Sequence, residues 1–350
     1  MLSRVAENIY WMARYLERTE STARLVRSYN HLIMDIPLGS EPPWTVLVDI
    51  LNAREEFNSV FRRESEKNVH LLLASRPTST CSIPYAINRV RENLRVTRDV
   101  LPDDTWEKVN QLHLFSLDHA ESVASRRNRL LFLEQVIDHC QSIVGLIEGA
   151  VQRDHAYRFM RVGQLIERAD MTARVVDVGA GDILDREGAF GSIDPLLWGA
   201  LLESLSGTTA YRRQVGPIIE KDSFVDFVFK TDDFPRSIYF CLSEIRRELN
   251  HLPVAGPTLT QIDSTRRRLR RFSSQKRERT MLHRFIDGLL QSFIELDEQL
   301  QYKPSRLPAA TGNAENDRLP RKQDEGAVAA QRREARIKLQ KEMQAVAKET

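Results

Sequence analysis

RVAENIYWMARYLERTESTARLV, residues 4–26, is the stretch that decides the fold. Its apolar residues Ile9, Met12, Leu16, Ala23 and Val26 keep the three-and-four spacing of one helix face, and charges fill the other positions. The pattern predicts a helix over residues 3–34, stopped by Pro37 and Gly39. The same period returns at 45–73, 83–100, 103–124, 128–150, 155–178, 195–214, 217–229, 235–252, 258–272 and 278–301. Asp194 before Pro195 and Asp233 shortly before Pro235 read as helix starts, and Gly179, Gly181, Gly188 and Gly191 read as a loop. The nearest thing to strand alternation, Phe224–Phe229, also reads as a short helix. The expected fold class is therefore all-α, a multi-helix bundle.

Part of the opening helix is written twice. Ala13–Arg27 reads ARYLERTESTARLVR and Gly163–Asp177 reads GQLIERADMTARVVD, 150 positions later. Glu17/Glu167, Arg18/Arg168, Thr22/Thr172, Ala23/Ala173, Arg24/Arg174 and Val26/Val176 are identical, and Glu20/Asp170 is a like pair. Glu20 and Arg24, and again Asp170 and Arg174, stand four apart with the acid first, the favourable order for an intrahelical pair. Two such helices packed face to face bring Glu17 near Arg168, or Glu167 near Arg18. Arg236, behind Pro235 at an expected helix start, is mildly unfavourable at the positive end of the helix dipole without an anion, and reads either as paired inside the bundle with Glu17 or Glu167 or as a surface arginine of the capping region. The candidate binding residues are thus Glu17, Arg18, Glu20, Arg24, Glu167, Arg168, Asp170, Arg174 and Arg236. They read either as ion pairs that fix helix register or as the lining of a polar cleft for an anionic or peptide-like ligand.

Charge divides the chain. It has 350 residues with 51 Lys and Arg against 49 Asp and Glu, but Lys303–Thr350 alone holds 11 basic and 7 acidic residues. The body is therefore slightly acidic and the tail basic. Pro304, Pro308, Gly312 and Pro320 among polar neighbours predict a disordered linker over 303–326, and 327–350 reads as a charged, weakly anchored helix. Residues 1–302 form the helical domain. Three scattered cysteines, Cys81, Cys140 and Cys241, argue against a disulfide framework and for a reducing cytoplasm. Charges from Arg4 to Arg18 do not suit a signal peptide, and no run of about 18 apolar residues predicts a membrane span.

Catalytic motifs are not apparent. No phosphate-binding glycine loop and no nucleophile elbow occurs, Gly179-Ala180-Gly181-Asp182 reads as a helix end, and Cys140 has only the adjacent His139. Glu248 and His251 give one half of a di-metal carboxylate motif without its second half, so neither a metal nor another cofactor is expected. Arg266, Arg267, Arg268, Arg270, Arg271, Lys276, Arg277 and Arg279 form a basic run that reads first as a solvated face or a dock for an acidic partner and second as a polyanion site, the slightly acidic body making nucleic acid an unexpected partner.

With these residues in place, the chain resembles the alpha-E family, a bacterial all-helical domain with an ER motif. The resemblance rests on residues 4–26, on YRFMRVGQLIERADMTARVVD at 157–177, on NRVRENLRVTRDVLPDDTWEKVN at 88–110 and on FPRSIYFCL at 234–242. It implies a cytoplasmic helical protein that acts as partner or accessory of a circularly permuted ATP-grasp ligase-like protein in peptide synthesis or modification. A transglutaminase-like protein is a second implied partner. The alternatives are an enzyme using the Glu/Arg pairs as acid and base on a peptide-like substrate, and a polyanion-binding module. Gln164 opposite Arg14 and Asp177 opposite Arg27 make the two copies inequivalent.

Overall fold

In the computed structural model, which describes residues 3–37, 39, 41–179, 194–252, 256–273 and 279–300, the opening sequence forms one unbroken helix, α1 (Ser3–Asp35). Three short helices follow, α2 (Val46–Ile50), α3 (Arg54–Val60) and α4 (Glu66–His70), the last running into a π turn at Leu71–Ser75. A hairpin series α5 (Ile83–Arg95), α6 (Asp103–His119) and α7 (Arg126–Ala150) leads to α8 (His155–Arg174), which ends in a second π turn at Val175–Gly179. Then come α9 (Asp194–Ser204), α10 (Thr208–Gln214), α11 (Lys221–Lys230), α12 (Ile238–Leu249), α13 (Gly256–Arg271) and α14 (Arg279–Leu300). The fold is all-α, with no strand among the described residues. The expected linker and tail helix, the loop glycines Gly181–Gly191, the Asp194 side chain, and Lys276 and Arg277 lie outside those residues.

Several expected helices are shorter or divided, for local reasons. The stretch 45–73 breaks where Asn52 takes φ of +51°, a conformation its short polar side chain tolerates, and Ala53 N turns back to Val48 O at 2.9 Å. The stretch 195–214 breaks the same way at Ser206, φ +55°, with Gly207 N on Leu202 O at 2.8 Å. The helix expected from 235 starts at Ile238, because Ser237 rather than Asp233 is its cap, its hydroxyl accepting from Phe240 N at 3.0 Å. Arg236 thus lies in the turn before the helix and not in its first turn.

The centre of the bundle is the packing of α1 on α8. Tyr10 meets Gly163, Arg14 meets Glu167 and Glu17 meets Arg168, so the contacts advance together and the two helices run parallel. Gly163 permits this approach, since a Cβ there would stand 2.5 Å from the Tyr10 carbonyl oxygen. α5 and α7 cover α1, while α12 and α14 cover α8. α6 closes the first trio and α13 the second. α7 is, among the described residues, long and apolar enough to cross a membrane by composition. Its Phe132, Leu133, Val136, Ile137, Cys140, Ile143 and Ile147 are buried in this bundle.

The duplication extends well beyond the ER helices. α3 and α10 both have seven residues and follow the same left-handed break, and Trp44 and Trp198 precede them in register. Ser82 caps α5 as Ser237 caps α12, and each hydroxyl also donates to the carbonyl six residues earlier, Arg76 or Thr231. Arg91 Nε donates to Asn110 at 3.0 Å, and Arg246 Nε to Asp263 at 2.7 Å, tying α5 to α6 and α12 to α13 alike. The core faces of α7 and α14 also superpose in sequence, with Phe132 opposite Phe285 and Leu133 opposite Ile286. The described helices form two copies of one helical unit built around the α1–α8 pair.

Candidate functional site

Glu17 and Glu167 lie on the inner flanks of α1 and α8, and each reaches across to the arginine of the other helix. Arg168 grips Glu17 with both arms of its fork, Nε to Oε1 at 3.0 Å and Nη2 to Oε2 at 2.7 Å. Arg18 grips Glu167 in the same way, Nε to Oε1 at 2.5 Å and Nη2 to Oε2 at 3.0 Å. Such planar bidentate pairs fix orientation as well as charge. The ER dipeptide is therefore a reciprocal clasp, in which the glutamate of each helix takes the arginine of its twin.

A second guanidinium joins each carboxylate. Arg236 brings Nη1 to Glu17 Oε1 at 2.7 Å, and also reaches Ser21 Oγ and Glu20 Oε1, both at 3.3 Å. Its own carbonyl accepts from Thr172 Oγ1 at 2.9 Å, which binds the turn to α8. Gln164 Nε2 completes the shell of Glu17 at 3.2 Å. At Glu167 the second cation is Arg14, with Nε at 2.8 Å from Oε2, and Arg14 turns its Nη1 to Asp297 of α14 at 2.7 Å. Tyr10 donates to the same Asp297. Near the start of α8 a similar grouping occurs out of register: Glu148 of α7 accepts from Tyr157 at 2.9 Å and lies 3.3 Å from Arg161. Glu20–Arg24 and Asp170–Arg174 form the intrahelical pairs, with Nε at 2.8 and 2.7 Å.

Of the candidate residues, Glu17, Arg18, Glu20, Arg24, Glu167, Arg168 and Arg236 meet around the two carboxylates, with Arg236 on Glu17 rather than Glu167, while Asp170 and Arg174 form a pair of their own further along α8. The sequence reading left out Arg14, Tyr10, Ser21, Gln164 and Asp297. Arg14 carried a signal, one turn before Arg18 on the same flank, whereas Asp297 reaches the clasp only through the placement of α14.

The electrostatics follow from closure. Both glutamate side chains are at most 2% exposed. Burial alone raises a carboxyl pKa, but Arg168 and Arg236 outweigh it at Glu17, and Arg18 and Arg14 outweigh it at Glu167, so both stay below the ordinary carboxylate range. In the other direction, burial opposes the charge of Arg14, Arg18 and Arg168, yet their carboxylate partners hold all three further into the charged form. A general acid or base works best with a pKa near the operating pH and a lone pair or proton free for substrate. These carboxylates are held below that range and are buried away from solvent.

The remaining candidates are occupied or inert. Glu248 is buried and paired with Arg158 at 2.9 Å, and His251 is exposed in the turn beyond α12, so the two do not form a half-site. Burial pushes the Cys140 thiol well up and Cys241 up to about 12, which removes both as nucleophiles. In the basic run, Arg266 is held by Asp263, Tyr239 and Ser243, and Arg270 by Asp232. Arg267 and Arg271 are exposed on the last turns of α13, where cations suit the helix dipole.

A model of the Alpha-E family, described as a predicted alpha-helical domain with a conserved ER motif, matches residues 1–303. No curated protein and no solved structure matched the chain.

Proposed function

The chain belongs to the Alpha-E family, and from that premise we propose that it is a non-catalytic accessory of a circularly permuted ATP-grasp ligase-like protein. The setting is peptide synthesis or modification in the cytoplasm, with a transglutaminase-like protein as a further partner. The observation that carries this reading is the closure of the ER clasp: the oxygens of Glu17 and Glu167 are engaged by arginine and amide donors, with no face open to a substrate. A motif spent on joining two helices leaves recognition to the outer surface.

That surface supports an interacting role. Leu114 and Leu117 on α6 and Leu131 on α7 are each about half exposed. The fold does not require them, because the corresponding positions of α13 and α14 carry Arg267, Arg270 and Arg284. The ATP-grasp partner itself is suggested by the family resemblance. Purification of the tagged full chain from its native cell under mild conditions tests the reading. Co-elution of an ATP-grasp ligase-like protein supports it, and repeated recovery of the chain without one counts against it.

A further inference from the structure

Where the two halves differ at corresponding positions, the fold does not dictate the choice. One such place lies where the π turn after α8 meets the beginning of α14. Asp177 stands opposite Arg27, and in the register that aligns Phe285 with Phe132, His283 stands opposite Leu130 and Asp287 opposite Glu134. The second half thus gathers three metal-ligating residues where the first has a cation, an aliphatic chain and one carboxylate.

Their geometry converges. One potential ligand atom from each of Asp177, His283 and Asp287 lies within 4.8 Å of the other two. His283 Nδ1 stands 2.7 Å from Asp177 Oδ1, and Nε2 stands 3.5 Å from Asp287 Oδ2. A hydrogen bond from Nδ1–H to Asp177 orients the ring and leaves the Nε2 lone pair directed to the side of Asp287. The 3.5 Å separation is close to the ~3.3 Å between two ligands that each sit about 2.0 Å from one tetrahedral ion. A carboxylate behind an imidazole is the usual device for orienting a metal-binding histidine. The widened π turn presents Asp177, whose side chain is only 13% exposed, while His283 and Asp287, one helical turn apart, are open to solvent for entry of an ion and its waters.

We propose that His283 Nε2 and Asp287 bind a single Zn2+ ion, with Asp177 as the carboxylate that orients His283 and water filling the other positions. One imidazole with carboxylates suits a borderline divalent ion, whereas Mg2+ and Ca2+ favour all-oxygen shells. Binding requires the neutral imidazole, so affinity falls as the solution is acidified.

Calorimetric titration of the full chain with ZnCl2 at neutral pH tests this. The expected result is one equivalent bound by the wild-type chain, with that site lost in His283→Ala and in Asp287→Asn. In Asp177→Asn the ion should bind about ten-fold or more weakly, as when a second carboxylate behind a ligand is removed. His251→Ala, which removes an exposed imidazole in the turn beyond α12, should leave the titration unchanged. Circular dichroism of each variant should match wild type, since both ligands are exposed. A wild-type chain that binds no Zn2+, or a His283→Ala chain that binds it as tightly as wild type, overturns the proposal.

Discussion

At Glu17 the second guanidinium comes from Arg236, in a turn far along the chain, whereas at Glu167 it comes from Arg14, one turn from Arg18 on the same helix. The exchange is reciprocal. Cys81 occupies the place of Arg236 in the first half, and Gln164 the place of Arg14 in the second. Each half carries one arginine that its twin lacks, and each carboxylate faces two arginines. The property preserved across the duplication is the compensation of a buried charge, which is the constraint expected of an element that specifies how two helices meet. A catalytic pair would instead keep its geometry and leave an approach for substrate.

The two ends should respond unequally to the same change. Glu17→Gln leaves Arg168 without its carboxylate and Arg236 with only the 3.3 Å contact to Glu20; both side chains are nearly buried, 12% and 10% exposed, and the change should cost about 3–5 kcal/mol in urea unfolding. A loss of less than about 1 kcal/mol would place the clasp among surface pairs of little consequence. The helix contact itself is broken at the next level. Gly163→Ala drives a methyl into the Tyr10 carbonyl and should cost about 1–3 kcal/mol, whereas the mirror exchange Ala13→Gly costs only the helix propensity of about 1 kcal/mol. Equal costs would mean that α1 and α8 do not approach as closely as described.

A third comparison concerns His70 and its twin position Val225. His70 is buried with no hydrogen-bond partner for either ring nitrogen among the described residues, and its ring packs edge-on against Trp44. Burial, with Arg129 nearby, lowers its pKa to about 3. The neutral form is the one the folded chain accepts, so its contribution is complete above the unfolded value of about 6.5 and is lost as pH falls toward 3. Over that window His70 should give stability a slope of up to about 1.4 kcal/mol per pH unit. His70→Val, which installs the residue of the other half, should flatten the slope between pH 6 and 5, where the carboxylates contribute little. An unchanged slope would show that His70 is solvated or paired.

Much of this was legible in residues 4–26. A 3.6-residue period over a long window, together with an ungapped repeat rich in Glu and Arg, points to paired helices without knowledge of anything else. The wider duplication was hidden because its register drifts. The ER helices match at a separation of 150, Trp44 and Trp198 at 154, Ser82 and Ser237 at 155, and Phe132 and Phe285 at 153, so an ungapped comparison loses it after α1. Isolated matches such as Ser82-Ile83 with Ser237-Ile238 were too short to stand out. The helix breaks at Asn52 and Ser206 were hidden for another reason: both are backbone conformations that apolar periodicity does not encode. Asp297 illustrates the limit for the site, since its carboxylate acquires meaning only when α14 places it beside Tyr10 and Arg14.

The proposed accessory role rests on ER glutamates that join two helices. Urea unfolding of Glu167→Gln addresses it most directly, because this end keeps Asp297 on Arg14 and leaves Arg18 28% exposed. The expected result is a loss of about 2–3 kcal/mol, smaller than at Glu17, with an unchanged dependence on urea concentration. A stability within about 0.5 kcal/mol of wild type would contradict the claim and return Glu167 to the candidates for catalysis.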